Sequence, residues 1–443
     1  MDLPRDVVLF STADWDHPFW TNKQHVARQL AQSGQRVLYV DSLGLRRPTV
    51  NTRDLTRIGR RLLRGLSRPR QVEPNLWVFS PLVLPWHNRV ATRRLNERVL
   101  AGALQRVTRQ LGFRRPIVWT YNPLVEPLIS RLDASLVVYH CVDDLGAVPG
   151  APTDVIEACE RRITADADLV LTTSRNLQRR LEPLNPAATS YLPNVADYEH
   201  FSTARADGPL PEDLRAIPRP RIGFIGAVSH YKVDFELVAE VARRRPDWHW
   251  VLIGQVGEGQ PQSLPEVLDA PNVHLLGPRS YGRLPDYLRG FDVATIPARV
   301  NPYTESMFPM KFFEYLAAGC SVVASNVPAL DEFSHACQLV AGADDFTAAI
   351  ARVLAGGGPD LATRDELARR HTWTWRAQEI HALIEARWAE KNRGRDRGPV
   401  PRPHLTTAAL KTTTALKIST ALAATSLPRT PPDTPAGTSS NGH

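Results

Sequence analysis

The stretch from Asn301 to Ser325, NPYTESMFPMKFFEYLAAGCSVVAS, constrains the fold more than any other. It follows an apolar run, Asp292 to Ile296, that reads as a buried strand. It opens with a polar loop, passes Pro309 and turns helical from about Met310. It stops at Gly319, glycine being favoured just past a helix C-terminus. The β-branched run Ser321 to Ala324 reads as the next parallel strand. The helix buries Phe312, Phe313, Leu316 and Ala317, which leaves Lys311, Glu314 and Tyr315 near its start at the carboxyl edge of the sheet. Open α/β sheets bind ligands at that edge. The positive end of a helix favours an anion there, and a lysine adds a full charge. A carboxylate one turn on can accept two hydrogen bonds from a sugar diol.

With 443 residues and 43% hydrophobic content, two domains plus appendages are expected. No apolar run reaches the roughly 18 residues of a membrane span. The opening MDLPRDVVLF has acids and a strand-like run where a secretory leader would be basic and then apolar. Cys141, Cys159, Cys320 and Cys337 have no metal-ligand spacing and read as thiols of a reducing compartment. The net charge of +8 is carried almost wholly by arginine: six of the 54 basic residues are lysine. Lys23, Lys232 and Lys311 alone precede the last helix. They are either chance survivors of an Arg-biased composition or places where a compact point charge suits a phosphate.

In the first half, Val7 to Phe10 reads as a strand, a long loop follows, and a helix runs from about Lys23 to Gln32 before the strand Arg36 to Val40. Trp15, Trp20, Asn22 and Lys23 crowd that loop. Exposed aromatics beside polar groups suit a sugar, and equally two tryptophans can pin a loop to a core. Residues 46–70 hold nine arginines against one acid, Asp54, around a leucine-rich stripe. Such a basic amphipathic helix suits an anionic membrane, and otherwise is a solvated face. Further strands are expected at Leu76–Phe79, Ile117–Tyr121, Leu136–His140 and Leu169–Thr173. His140, Asp143 and Asp144 stand at one strand end as candidates for a cleft.

A Pro- and Gly-bearing stretch, 207–220, reads as a linker, after which the pattern restarts. In RIGFIGAVSHYKVDF a glycine turn, with Gly226, Ser229 and Lys232, follows a strand and can meet a diphosphate. It matches neither the dinucleotide fingerprint nor the P-loop. Strands are expected at His249–Ile253, Val273–Leu276, Val293–Ile296 and Val322–Ala324, and a final helix ends near Asn392. The Thr-, Ala- and Pro-rich remainder reads as disordered. The expected organisation is 1–206 as one α/β domain, 207–393 as a second, and 394–443 as a low-complexity tail.

NKQHVARQLAQSGQRVLYVD, WTYNPLVEPLISRL, VVYHCVDDL, YLPNVADYEHF, GFIGAV, NVHLLGPRSYGRLPDYLRGFDVATIP and PMKFFEYLAAGCSVVAS together resemble the retaining GT-B glycosyltransferases of family 4, the group 1 glycosyltransferases, and most of all bacterial members that build cell-surface polysaccharide. The resemblance implies two Rossmann-like domains across a cleft, with a C-terminal helix crossing back to the first. It implies an enzyme that moves a hexosyl or related sugar with retention from a nucleotide-diphosphate donor to a carbohydrate or lipid-linked acceptor. Acceptor binding falls to the first domain, through Trp15, Trp20, Asn22 and Lys23, and donor binding to the second. No cofactor, metal or nucleic acid is implied, and the cytoplasm or the inner face of the membrane is the expected location. Glu314 matches the second Glu of the family's Glu-x7-Glu motif, Gly226 the loop glycine and Lys232 a basic residue of the diphosphate loop. Ser229, Arg279, Tyr281, Pro309 and Lys311 fall in donor-binding segments. Lys311, Lys232, Glu305, His140 and Asp143 are the candidates for catalysis. Eight residues separate Glu305 from Glu314, one more than the motif has, and Thr21 and Asn22 replace the usual glycine pair of the first loop. The same scaffold also serves epimerases, phosphorylases and non-catalytic nucleotide-sugar-binding modules.

Overall fold

The computed structural model describes residues 3–17, 19–43, 68–81, 90–257 and 265–396. Among them, two sheets form. The first contains β1 (Asp6–Phe10), β2 (Arg36–Val40), β3 (Arg70–Glu73), β4 (Leu76–Phe79), β5 (Ile117–Thr120), β6 (Leu136–Cys141), β7 (Leu169–Thr172) and β8 (Thr189–Tyr191). Their spatial order is β3-β4-β2-β1-β5-β6-β7-β8, parallel except for the β3–β4 pair. The second contains β9 (Arg221–Ile225), β10 (His249–Ile253), β11 (Val273–Leu275), β12 (Val293–Ile296), β13 (Val322–Ser325) and β14 (Gln338–Val340). It is parallel throughout, in the order β11-β10-β9-β12-β13-β14.

The central strands β1, β5, β9 and β12 are buried along their whole length because helices cover both faces. That is why they read as largely apolar stretches, with the charged Asp6 and Arg221 only at the first positions of β1 and β9. The strands that periodicity does not reveal are β3, β8 and β14, of four, three and three residues. Each is the edge of its sheet and partly solvated, so it lacks the continuous apolar signature.

Chain order sets where ligands can sit. From β1 the chain goes first to β2 on one side and later to β5 on the other; from β9 it goes to β10 and then to β12 on the opposite side. A crevice opens at the carboxyl ends of strands wherever the direction reverses in this way. In the first sheet that point is flanked by the loop before the Asn22–Gln32 helix and by Tyr121 and Asn122. In the second it is flanked by Gly226–Lys232 and by the segment leading into the Lys311–Ala317 helix.

The chain leaves the first lobe through Leu192–Asp197 and returns beside that strand of exit: Ala196 N–H donates to His371 O (3.0 Å), and Ala196 bridges Thr372. The helix Trp373–Asp396 then lays Trp373, Ile380 and Ile384 into the core of the first lobe, against Val7, Leu9, Val26 and Leu30. The expected crossing back is therefore present. Residues 389–443 form a unit of their own, described only as the last turns of that helix. The Arg-rich helix expected within 46–70, save its final residues, and the low-complexity tail beyond 396 lie outside the described residues. Arg70 opens β3 and pairs with Asp16 (2.8 Å).

Trp373 stacks on His25 at 4.7 Å with the rings nearly parallel. Truncating a buried Trp removes transfer energy and leaves a cavity, at a cost of about 3–5 kcal/mol. Trp373→Ala should therefore lower the urea midpoint of the first lobe by that equivalent. A loss under about 1 kcal/mol would mean that the returning helix contributes little to this core.

Candidate active site between two sheet edges

In the second lobe the site is built around one phenol. Tyr315 is fully buried, and its hydroxyl oxygen accepts from Ile225 N–H (2.8 Å) while lying 3.4 Å from Ile225 O. This ties the Lys311–Ala317 helix to the last residue of β9. The next residue, Gly226, has φ +147°, and a side chain there would meet Lys311 at 2.9 Å from Cε and 3.0 Å from Nζ. The absent Cβ lets the lysine lie across the turn, its ammonium also 5.0 Å from the Phe224 ring. Gly254 closes the turn from the neighbouring strand: a Cβ there would fall 1.7 Å from Gly226 O, so only glycine permits this crossing. Pro309 is buried just upstream and its carbonyl accepts from Phe312 N–H (3.0 Å).

Glu314 stands one turn beyond Lys311, and its carboxylate makes no hydrogen bond or ion pair among the described residues. Burial pushes it up to about 7, Lys311 opposes and Asp197 adds to the rise. Tyr281 lies in the same field: burial, then Glu314 and Asp197, drive its phenol far above its usual value, and its hydroxyl is a buried atom without a partner. Glu314, Tyr281 and Asp197 thus act on one another electrostatically, and among the described residues the Glu314 carboxylate and the Tyr281 hydroxyl have no hydrogen-bond partner.

The facing wall comes from the first lobe. Lys23 is only 7% exposed and pairs with Asp143 (Nζ–Oδ2 3.6 Å), its ammonium 5.8 Å from the Tyr121 ring. Burial lowers its pKa, Asp143 opposes, and Lys232 lowers it further. Lys232 lies 5.6 Å from the ring of Tyr303, whose hydroxyl donates to Asp143 Oδ1 (3.1 Å). Asp143 therefore meets one lobe through Lys23 and the other through Tyr303. His140 is buried 4.8 Å from Tyr121; burial, with Lys23 and Arg376, holds it well below the usual imidazole value, so it is neutral. His140 Nδ1, Tyr121 Oη and Asn22 Oδ1 are all buried without a partner. A relay also crosses the cleft: Asn22 Nδ2 donates to Asn194 Oδ1 (3.0 Å), and Asn194 Nδ2 to Phe308 O (2.9 Å).

The candidates from sequence thus fall into two groups. Lys311, Gly226, Pro309, Glu314 and Tyr281 gather at the second sheet; Asn22, Lys23, His140, Asp143 and Lys232 gather at the first, with Tyr303 between. Ser229 is fully buried, and its carbonyl accepts from Lys232 and Val233 N–H (2.9 and 2.8 Å), shaping the turn. Arg279, Trp15, Trp20 and Glu305 stand apart from these two groups. Arg279 is tied to Asp213 (2.6 Å), Tyr287 (2.7 Å) and Pro278 O (3.0 Å), which engage three of its five N–H donors. The Trp15 ring is buried against Tyr39 and Trp20, where it pins the loop and does not offer a sugar platform. Trp20 is half-buried, with Arg28 3.9 Å from its ring. The Glu305 side chain is exposed, while its carbonyl accepts from Asn176 Nδ2 (3.3 Å). Sequence reading assigned no role to Tyr303, Asn194, Asp197 or Tyr121. Each lies in a stretch that stood out, but only folding shows which way it faces.

Two α/β lobes with their switch points opposed and a returning C-terminal helix make up the GT-B glycosyltransferase architecture. The structure matches sucrose-phosphate synthase from Thermosynechococcus elongatus (TM-score 0.61, 17% identity, 89% of this chain and 98% of that one). It also matches Anabaena Alr3699/HepE in complex with UDP (TM-score 0.60, 13% identity, 86% and 100%). Residues 219–356 match the family model described as glycosyl transferases group 1. Over 273 residues the chain is 30% identical to TuaH of Bacillus subtilis (strain 168), whose name assigns it to teichuronic acid biosynthesis as a glycosyltransferase; the match spans 57% of this chain and 68% of TuaH. The chain belongs to the group 1 glycosyltransferases.

The raised pKa of Glu314 has a stability consequence. Its folded value, about 7, exceeds the value of about 4.5 that it takes when unfolded. The proton held in the fold therefore stabilises fully below pH 4.5, and that contribution disappears as pH rises through 7. At pH 8 the buried charge costs up to about 2–3 kcal/mol. Glu314→Gln should raise the melting temperature of the unliganded protein more at pH 8 than at pH 5. Equal shifts at both pH values would remove the argument.

Proposed function

We propose that this glycosyltransferase moves a sugar from a nucleotide-diphosphate donor to a carbohydrate or lipid-linked acceptor, with retention at the anomeric carbon. The observation that carries the reading is the close approach of Lys311 to the Gly226 turn, with the unengaged Glu314 carboxylate one turn beyond. A diphosphate lying over that turn meets the Lys311 charge, and a ribose on the Glu314 side finds a two-pronged acceptor. Lys232 enters from the next turn and adds positive charge toward the first lobe. UDP is the first nucleotide to test, because Anabaena Alr3699/HepE is described in complex with it.

In the reaction the C1–O bond to the diphosphate breaks and a bond from C1 to the acceptor oxygen forms on the same face. The acceptor proton passes to the departing diphosphate, so no protein base is needed. Charge grows on the leaving group as the bond breaks, and Lys311 and Lys232 stabilise it more in the transition state than in the ground state. On the first lobe, Asn22, Tyr121 and the neutral His140 offer an acceptor buried hydrogen-bonding atoms that the fold leaves unused, beside the Lys23–Asp143 pair. The similarity to TuaH supports an acceptor of the cell-envelope polysaccharide class. The Arg-rich sequence at 46–70 supports work at the inner face of a membrane, and none of the described helices is long and apolar enough to cross one.

Two variants separate donor holding from leaving-group stabilisation. Glu314→Gln should raise the donor KM more than it lowers kcat, because the ribose contact is the same in ground and transition states. Lys311→Met should mainly depress kcat, by about 2–4 kcal/mol of transition-state stabilisation. Steady-state kinetics on folded variants checks both. Near wild-type constants for the two would put the donor elsewhere. A thermal-shift series with nucleoside diphosphates gives the nucleotide: at 100 times its dissociation constant the right one stabilises by roughly 2.7 kcal/mol.

A further inference from the structure

We propose that the outer face of the helix Val90–Gln110 is a docking surface for an anionic lipid bilayer. One side of this helix is firmly placed: Leu100, Ala101, Leu104 and Val107 pack against Val8, Phe10, Leu38 and Val40. The other side is open. Leu95 is 50% exposed and Val99 48% exposed, one turn apart, with exposed Gly102 the next step along the same stripe. Arg94, Arg98, Arg106 and Arg109 are exposed around that stripe. The helix's one described acid, Glu97, is half-buried.

Among the described residues no carboxylate pairs with this face, whereas many arginines elsewhere are paired. Arg28, Arg36, Arg162, Arg180, Arg205 and Arg244 each have a carboxylate within 2.9 Å. Arg94, Arg98 and Arg106 have neither an ion pair nor a side-chain hydrogen bond among the described residues. A stripe of aliphatic side chains flanked by unpaired arginines suits a bilayer interface: the aliphatics enter the acyl boundary and the guanidinium groups meet lipid phosphates. A nucleic-acid backbone would use the arginines and leave Leu95 and Val99 idle.

Topology adds a reason for this placement. The helix connects β4 to β5, which lie in the same sheet and run in the same direction. It must therefore run back from the carboxyl edge, so Arg94, Leu95 and Val99 lie toward the edge that carries Tyr121, His140 and Lys23. Seating this end on a bilayer brings that edge near a lipid-linked acceptor. The proposal goes beyond the transfer reaction and does not depend on it, because vesicle binding and nucleotide binding are measured separately.

The experiment uses the full chain with vesicles of 30% phosphatidylglycerol in phosphatidylcholine and vesicles of phosphatidylcholine alone. Wild type should co-sediment with the first and not the second. Leu95→Gln/Val99→Gln should bind the anionic vesicles at least about fivefold more weakly, through lost aliphatic insertion. Arg94→Gln/Arg98→Gln should flatten the dependence on phosphatidylglycerol content. Both pairs are exposed, so circular dichroism and nucleoside-diphosphate binding should match wild type. Three results would overturn the proposal. Wild type does not bind the anionic vesicles; the Leu95/Val99 variant binds them as wild type does, leaving the attachment to other basic segments; or both proteins bind duplex DNA as tightly as vesicles, with no loss in that variant.

Discussion

The second-lobe side of the cleft depends on the attachment of one helix to one strand end. Tyr315 is buried deep enough that its hydroxyl has no access to water, and Ile225 N–H is its partner. Breaking that bond would leave a buried donor unsatisfied, at a cost of roughly 1–3 kcal/mol. The attachment sets the height of the helix relative to the Gly226 turn. Height in turn decides whether Lys311 reaches across the turn and whether Glu314 comes within the field of Tyr281. The two glycines contribute by absence, since a methyl group at either would displace Lys311 or the facing backbone.

The cleft is held by polar contacts that belong to neither lobe alone. Asp143 takes Lys23 from its own lobe and Tyr303 from the other. Asn194 lies on the connecting segment and reaches both Asn22 and Phe308. Further out, Ser174 donates to Ser306 O (2.7 Å), and Tyr191 donates to Glu332. A few hydrogen bonds of about 1 kcal/mol each suit surfaces that must part to admit substrate and meet again around it. Three of the buried side-chain atoms left without a hydrogen-bond partner, His140 Nδ1, Tyr121 Oη and Asn22 Oδ1, lie on this same wall. Desolvated hydrogen-bonding atoms are costly unless something polar engages them. Their grouping at the switch point of the first sheet fits a wall that meets hydroxyl groups.

Much of the fold was legible in the chain. The apolar runs at β1, β5, β9 and β12 and the helix from Lys311 to Ala317 could be read because each satisfies its backbone locally or is buried on both faces. Gly226 was legible as the glycine of a strand-to-helix turn, and Lys311 and Glu314 as polar residues at the start of a later helix; that they meet was not. The scarcity of lysine singled out Lys23, Lys232 and Lys311, and the structure places all three at the cleft. For Trp15 the structure decides between the two readings the sequence left open, in favour of pinning the loop, and Arg279, placed near the donor by resemblance, is tied to Asp213. An aromatic near polar residues looks the same in sequence whether it faces a ligand or a core. A long cationic side chain gives no sign that a distant Asp213 already holds it.

By itself, the sequence determined the two α/β halves and the placing of Lys311 and Glu314 one turn apart at the start of one helix, because these follow from periodicity and from residues close together in the chain; the return of the last helix to the first lobe was implied by the family resemblance alone. Only the tertiary structure decided which polar groups share a site. Asp143 and Tyr303, Asn22 and Asn194, and Glu314 and Asp197 are more than 100 residues apart in the chain, and their meeting depends on strand order and on how the lobes face each other. Burial is the second property settled in three dimensions: it lifts Glu314 to about 7 and keeps His140 neutral. The free-energy cost of a charge depends on what surrounds it, and those surroundings are assembled from distant parts of the chain.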